Sequence, residues 1–278
     1  MIVLAVCNHK GGSGKTTSTI NVAAALGLSG FRTLVIDLDP QGFLTRMVGL
    51  PEPPEANSSL VLFDPQVRLA EVPVQPRKNF DVLPASSTLS KIMRRLNQPT
   101  DVLWVKEALE QAPLPYDAVL FDTAAAITVF SLNALVASRH VLIPVMPEYQ
   151  PVLGAEQTFQ TVMMVRDKLN PTLNLPFFLF TMVDARKRNH HAYRRYLRQR
   201  YGDQVMSSII RTSTTLSVTH NDGTTVFDHE PHGRGARDYA NATDELLRRI
   251  APERMDRAVS MLSREGGRGP WKSITHLG

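Results

Sequence analysis

The densest chemistry in the chain lies in eight consecutive residues, Lys10-Gly11-Gly12-Ser13-Gly14-Lys15-Thr16-Thr17. Glycines at this spacing let successive backbone N–H groups curl around an anion, and a helix starting at Lys15 would add the partial positive charge of its N-terminus. In such a loop Lys15 reaches the β- and γ-phosphates of a nucleoside triphosphate, and the Thr16 hydroxyl is a ligand for Mg²⁺. The ordinary pattern G-x-x-x-x-G-K-[ST] would begin with glycine at position 9. Here that position is His9, and the loop carries an additional lysine, Lys10.

Three carboxylates belong with this loop. Asp37 and Asp39 stand two residues apart in Asp37-Leu38-Asp39-Pro40-Gln41-Gly42, so an extended chain turns both to the same side. Asp122 closes the apolar run Ala118–Phe121. Carboxylates beside a triphosphate repel it unless they hold Mg²⁺-bound waters or orient the attacking water, and that is the chemistry they suggest.

These residues need a scaffold that brings strand ends together. Apolar runs of strand length, predicted at 2–7, 33–38, 80–83, 118–122, 140–145 and 177–183, alternate with segments of helical period at 15–28, 102–111, 155–168, 192–200 and 237–250. That alternation predicts an α/β fold, a mainly parallel twisted sheet covered by helices on both faces, with ligands bound at the C-terminal strand ends. The 278 residues, 43% hydrophobic and 21% charged, suffice for such a core. Six prolines between Gly49 and Pro76 mark an irregular surface excursion. Residues 1–250 read as one domain, and 251–278 as a C-terminal helix and flexible tail. A single cysteine, Cys7, excludes an intrachain disulfide and a thiolate zinc site and points to a reducing cytoplasm. The N-terminus enters an apolar strand with no basic leader, and the apolar stretch 131–145 is interrupted by Arg139 and His140, so no signal peptide or membrane span is expected.

Taken together, these motifs resemble the ParA family of partition ATPases, within the ParA/MinD class of P-loop NTPases of the deviant Walker A type. Lys10–Thr17 is similar to the deviant Walker A, Asp37–Gly42 to switch I, and Tyr116–Asp122 to the Walker B strand. Leu142–Tyr149, Thr181–Arg186 and Gly233–Ala236 are similar to later blocks of the family. The resemblance implies an ATPase using ATP and Mg²⁺, in which Lys10 reaches across an ATP-sandwich homodimer to the partner's phosphates. By the same resemblance Lys15 and the loop Gly11–Thr17 bind phosphates within the subunit, Thr16 ligates Mg²⁺, Asp39 positions the hydrolytic water, and Asp37 and Asp122 support the metal and its waters. Asp184, after a strand at the same edge, is a further candidate for the nucleotide pocket. The family's usual Pro-Pro pair after the Walker B aspartate is replaced by Thr123-Ala124-Ala125-Ala126. Around Leu216-Ser217 the chain has Thr215 before and Val218-Thr219-His220 after, so a family DNA contact is expected to be missing there.

The net charge of +5 has a local source. Between Arg186 and Arg200 lie seven basic residues, Arg186, Lys187, Arg188, Arg194, Arg195, Arg198 and Arg200, with no acid. Helical spacing would turn Tyr193, Tyr196, Leu197 and Tyr201 to the core and Arg194, Arg195 and Arg198 outward. Such a face binds DNA phosphates without reading sequence. Together with the ParA resemblance, which implies a second copy of the chain and a ParB-like or cargo adaptor that stimulates hydrolysis, the basic face adds nonspecific DNA to the expected partners, in a cytoplasmic, nucleoid-associated protein with no membrane partner. Alternatives on the same fold are a MinD-like membrane-cycling ATPase, a metabolic ATP-dependent ligase and an iron-protein-like reductase, the last disfavoured by the lone Cys7.

Overall fold

The computed structural model describes residues 1–219 and 223–254. Among these residues eight strands build one sheet: β1 (Ile2–Val6), β2 (Thr33–Asp37), β3 (Gln75–Pro76), β4 (Asp81–Leu83), β5 (Ala118–Asp122), β6 (His140–Val145), β7 (Phe177–Val183) and β8 (Val205–Arg211). Their order across the sheet is β3-β4-β2-β5-β1-β6-β7-β8, and only β3 and β4 run antiparallel. Strands β2 to β5 lie on one side of β1 and β6 to β8 on the other, so a crevice opens at the carboxyl end of β1. The register aligns Val6 with Asp122 and Asp37 with Asp122, which brings three strand ends level beside that crevice.

Strands buried on both faces explain the continuous apolar runs. Leu34, Ile36, Val119 and Phe121 point into one core, which Phe130, Val152, Val162 and Leu197 complete from the helices Val129–Ala137, Tyr149–Lys168 and Arg188–Tyr201. Val35 and Leu120 point into the other, closed by Ile20 and Val22 of the helix Lys15–Leu28 and by Ala236, Tyr239 and Leu246 of the helix Arg234–Ile250. Helices cover both faces, as the alternating pattern predicts.

The helix Lys15–Leu28 has its expected bounds, and the helix predicted at 155–168 begins earlier, at Tyr149. Pro151 fits its first turn, where a backbone N–H has no partner to lose. Besides several short turns of helix, two longer elements escape the periodicity. The helix Val129–Ala137 is almost wholly apolar and is started by a reciprocal cap between Thr128 and Ser131. Strand β8 is an edge strand interrupted by Ser207 and Ser208, whose N–H groups both donate to the Glu245 carboxylate. The proline-rich excursion holds the three short turns Glu55–Asn57, Ser59–Phe63 and Leu69–Glu71. The end of the C-terminal segment expected at 251–278 lies, from residue 255 onward, outside the described residues, as does His220.

Candidate functional site

The loop after β1 closes on the helix Lys15–Leu28 through two left-handed glycines, Gly12 at φ +71° and Gly14 at φ +85°. A side chain at either position would be strained, whatever the space. The turn aims the helix N-terminus into a cavity of about 700 Å³, whose wall includes residues 11–17, Asp39 and Thr123. Lys15 is buried and donates to the Lys10 carbonyl at 3.3 Å. Burial lowers its pKa, while Asp122, Cys7 and Asp39 pull it back up. The Ser13 hydroxyl is buried with no hydrogen-bond partner among the described residues, an orphan in a loop shaped for anions. Lys10 is exposed, and its ammonium meets no acid among the described residues.

Behind the loop, Asp122 accepts from the Thr16 hydroxyl at 2.8 Å and the Thr19 hydroxyl at 2.9 Å. Complete burial, with Asp37 alongside, pushes its carboxyl up to about 8. Asp37, pushed by burial to about 6, accepts from the Asp39 N–H at 3.0 Å, the Thr45 N–H at 2.9 Å and the Thr45 hydroxyl at 2.7 Å. Asp39 accepts from the Gln41 N–H at 2.9 Å, and burial raises its pKa as well. Of the three acids only Asp39 forms part of the cavity wall; Asp37 fastens the turn that presents Asp39, and Asp122 reaches the cavity through the Thr16 hydroxyl. Thr19 and Thr45 were not singled out by the sequence, although Thr19 lies three residues after Thr16 on the same helical face.

Asp184 lies apart from the cavity wall. Its carboxylate is held by Arg186 at 3.0 and 2.9 Å, which keeps it well below the usual carboxylate range, and it does not line the cavity among the described residues. The block containing it contributes Thr181 instead. The Thr181 hydroxyl donates to the Ser13 carbonyl at 2.8 Å, and Met182 beside it takes a left-handed φ of +50° in the cavity wall. Ile210, Thr212 and Leu216 also line the cavity.

A family model described as an AAA domain matches residues 1–175. The chain is 34% identical over 248 residues to the chromosome-partitioning ATPase Soj of Thermus thermophilus, covering 89% of this chain and 96% of that one. It is 30% identical to the chromosome partitioning protein ParA of Myxococcus xanthus, over 93% and 92%. The chain belongs to the ParA/Soj family of partition ATPases. The crystal structure of cobyrinic acid a,c-diamide synthase from Mycobacterium smegmatis, with bound ADP and magnesium, superposes with a TM-score of 0.75 at 27% identity, covering 89% of this chain and 94% of that one. The fold is therefore that of a P-loop NTPase of the deviant Walker A type.

In this ParA/Soj member the basic segment forms the helix Arg188–Tyr201, preceded by Lys187. Its faces differ from the helical-period expectation. Leu197 is buried, and Tyr201 packs on Phe159 and Phe178, as predicted. Tyr196 instead faces solvent and donates to Glu156, which also binds Tyr201 and pairs with Arg200. Arg194 lies over the Phe180 ring, and Arg198 donates to the Val205 and Met206 carbonyls, so neither stands free on an outward strip. Lys187 pairs with Glu148 and Arg186 with Asp184. Arg188 and Arg195 are exposed with no acid partner among the described residues. No helix among the described residues is long and apolar enough to cross a membrane.

Proposed function

We propose that the protein is an ATPase, converting ATP and water to ADP and phosphate, whose ATP-bound form is a sandwich dimer that holds DNA nonspecifically. A ParB-like or cargo adaptor then triggers hydrolysis and release from the nucleoid. Residues 1–250 act as the ATPase unit, with 251–278 appended to it. The observation that carries this reading is the contrast between the two lysines of one loop. Lys15 is buried against its own loop, whereas Lys10, next to that loop, is exposed with no acid to pair with among the described residues. An unpaired cation at the mouth of a phosphate site suits a phosphate brought by a second subunit.

In this reading the N–H groups of Gly11–Thr17 and the Lys15 ammonium bind the phosphates. The donors fit Mg²⁺: they are hard oxygens, and among the described residues no set of three acids, histidines or cysteines could cage a metal without help. Mg²⁺ prefers one or two protein oxygens plus phosphates and water. Thr16 would hold it, with Asp122 behind that hydroxyl. When bound, the ion neutralises charge on the β- and γ-phosphates. Asp39, fixed by Asp37 and the Gln41 N–H, orients the attacking water; its raised pKa leaves it more basic than a surface carboxylate. DNA contact falls to Arg188 and Arg195, with Lys187, Arg186, Arg194 and Arg198 in supporting positions.

Sedimentation with ATP and with ADP tests the reading. Wild type should dimerise with ATP only, and Lys10→Ala should keep ADP affinity yet remain monomeric with ATP. An unchanged dimer fraction in that variant would remove the sandwich. The likeness to the Mycobacterium smegmatis synthase raises a second reading, an ATP-dependent amide ligase. A ligase would release phosphate only with an added carboxylic acid and amine donor, whereas the partition reading needs ATP, Mg²⁺, DNA and an adaptor.

A further inference from the structure

We propose that Thr158 and Gly154, one turn apart on the helix Tyr149–Lys168, are positioning residues for Lys10. The inference rests on the reading of Lys10 as the lysine that crosses to the partner's phosphates. The Thr158 side chain is fully buried; its hydroxyl accepts the His9 N–H at 2.9 Å and donates to the Gly154 carbonyl at 2.7 Å. Gly154 touches Lys10 itself. A Cβ built there would stand 2.9 Å from the Lys10 Cβ, closer than packed atoms tolerate, and 3.3 Å from the Asn8 Oδ1, a tight contact.

Asn8, also fully buried, fastens the other side of the loop entry. Its Nδ2 donates to the Pro144 carbonyl at the end of β6 at 2.8 Å, and its Oδ1 accepts the Lys10 N–H at 3.0 Å. The N–H groups of His9 and Lys10 are thus each held by a buried side chain before the glycine cradle begins. This fixes the Lys10 backbone while its side chain remains free to extend. Lys15 is set differently, by the first turn of its own helix. The helix that grips Lys10 also carries Glu156, which binds Tyr196, Tyr201 and Arg200 of the basic helix, and follows directly on Glu148, which binds Lys187. The element that sets Lys10 therefore also helps to hold the basic helix.

Thr158→Val removes the acceptor at nearly constant shape and leaves the His9 N–H without a partner. The loop entry then loosens, while the cradle from Gly11 to Thr17 keeps its own geometry. ATP-dependent dimer formation should fall about tenfold, the scale of one lost buried hydrogen bond, with ADP affinity within about twofold of wild type. Thr158→Ser should restore the dimer, and Gly154→Ala should weaken it by displacing Lys10.

Two measurements decide the matter on variants whose melting curves establish a folded protein. Amide hydrogen exchange at His9 in the nucleotide-free monomer reads the grip without involving the dimer; sedimentation with ATP reads its consequence. Faster His9 exchange in Thr158→Val, a weakened ATP dimer and recovery in Thr158→Ser support the proposal. Unchanged exchange, or ADP affinity falling in parallel with dimerisation, overturns it. If Lys10→Ala dimerises normally, the crossing role of Lys10 fails, and the exchange result still decides whether Thr158 positions the loop.

Discussion

Replacing Asp122 by asparagine should flatten the pH dependence of stability in the nucleotide-free protein. Asp122 is fully buried beside Asp37, and burial pushes its carboxyl from 3.8 up to about 8. The folded state therefore keeps a proton that the unfolded chain has already released across this range. For a carboxyl raised in this way, the stabilisation is complete below the unfolded value and is lost as pH rises through the folded one. One excess bound proton changes stability by at most about 1.4 kcal/mol per pH unit, or up to about 4 kcal/mol between about pH 5 and pH 8. Asparagine keeps the shape, accepting from one of Thr16 and Thr19 and donating to the other, and has no charge to bury. Urea unfolding of both proteins in chelator across that range should find the wild-type midpoint falling with pH and the variant's falling less. The gap should widen toward pH 8 by up to about 4 kcal/mol. Parallel profiles would refute the claim that this carboxyl carries the buried proton.

Lys15→Ala should abolish measurable ATP and ADP binding, because it deletes the buried cation of the loop; calorimetric titration checks this, and wild-type affinity would remove the phosphate-site assignment. Arg188→Glu with Arg195→Glu should end DNA retention while sparing the ATP dimer. In the milder alanine variants, every DNA phosphate left without its arginine should make the slope of log K against log salt shallower by about 0.9. Arg198→Ala should chiefly destabilise the fold, since its guanidinium serves the Val205 and Met206 carbonyls, and thermal melting alongside DNA titration separates the two effects.

Whatever depended on short spacing was legible in the sequence. Gly12 and Gly14 mark the turn, the pattern from Lys15 marks the helix, and Asp37, Asp39 and Asp122 each follow an apolar run that becomes a central strand. Parallel register then brings the acids together, so the constellation follows from topology. Long-range capture of side chains was not legible. Helical period puts Arg198 outward, but the edge carbonyls near β8 draw its guanidinium in, and Glu156 on another helix holds Tyr196 at the surface. Asp184 has the position of a pocket residue and is taken by Arg186 two residues away. The hydroxyl partner of the His9 N–H comes from Thr158, 149 residues on, where no local pattern points back to the loop.

Phosphate release by Asp39→Ala, measured together with its ATP-dependent dimer and DNA retention, tests the central claim most directly. Asp39 is the one acid of the three in the cavity wall, and its carboxylate is presented by Asp37 and the Gln41 N–H. If it orients the attacking water, the variant binds ATP and dimerises normally, releases phosphate at least about a hundredfold more slowly, and stays on DNA long after wild type has left. Turnover at the wild-type rate with wild-type DNA release would contradict the account and assign the water to another group.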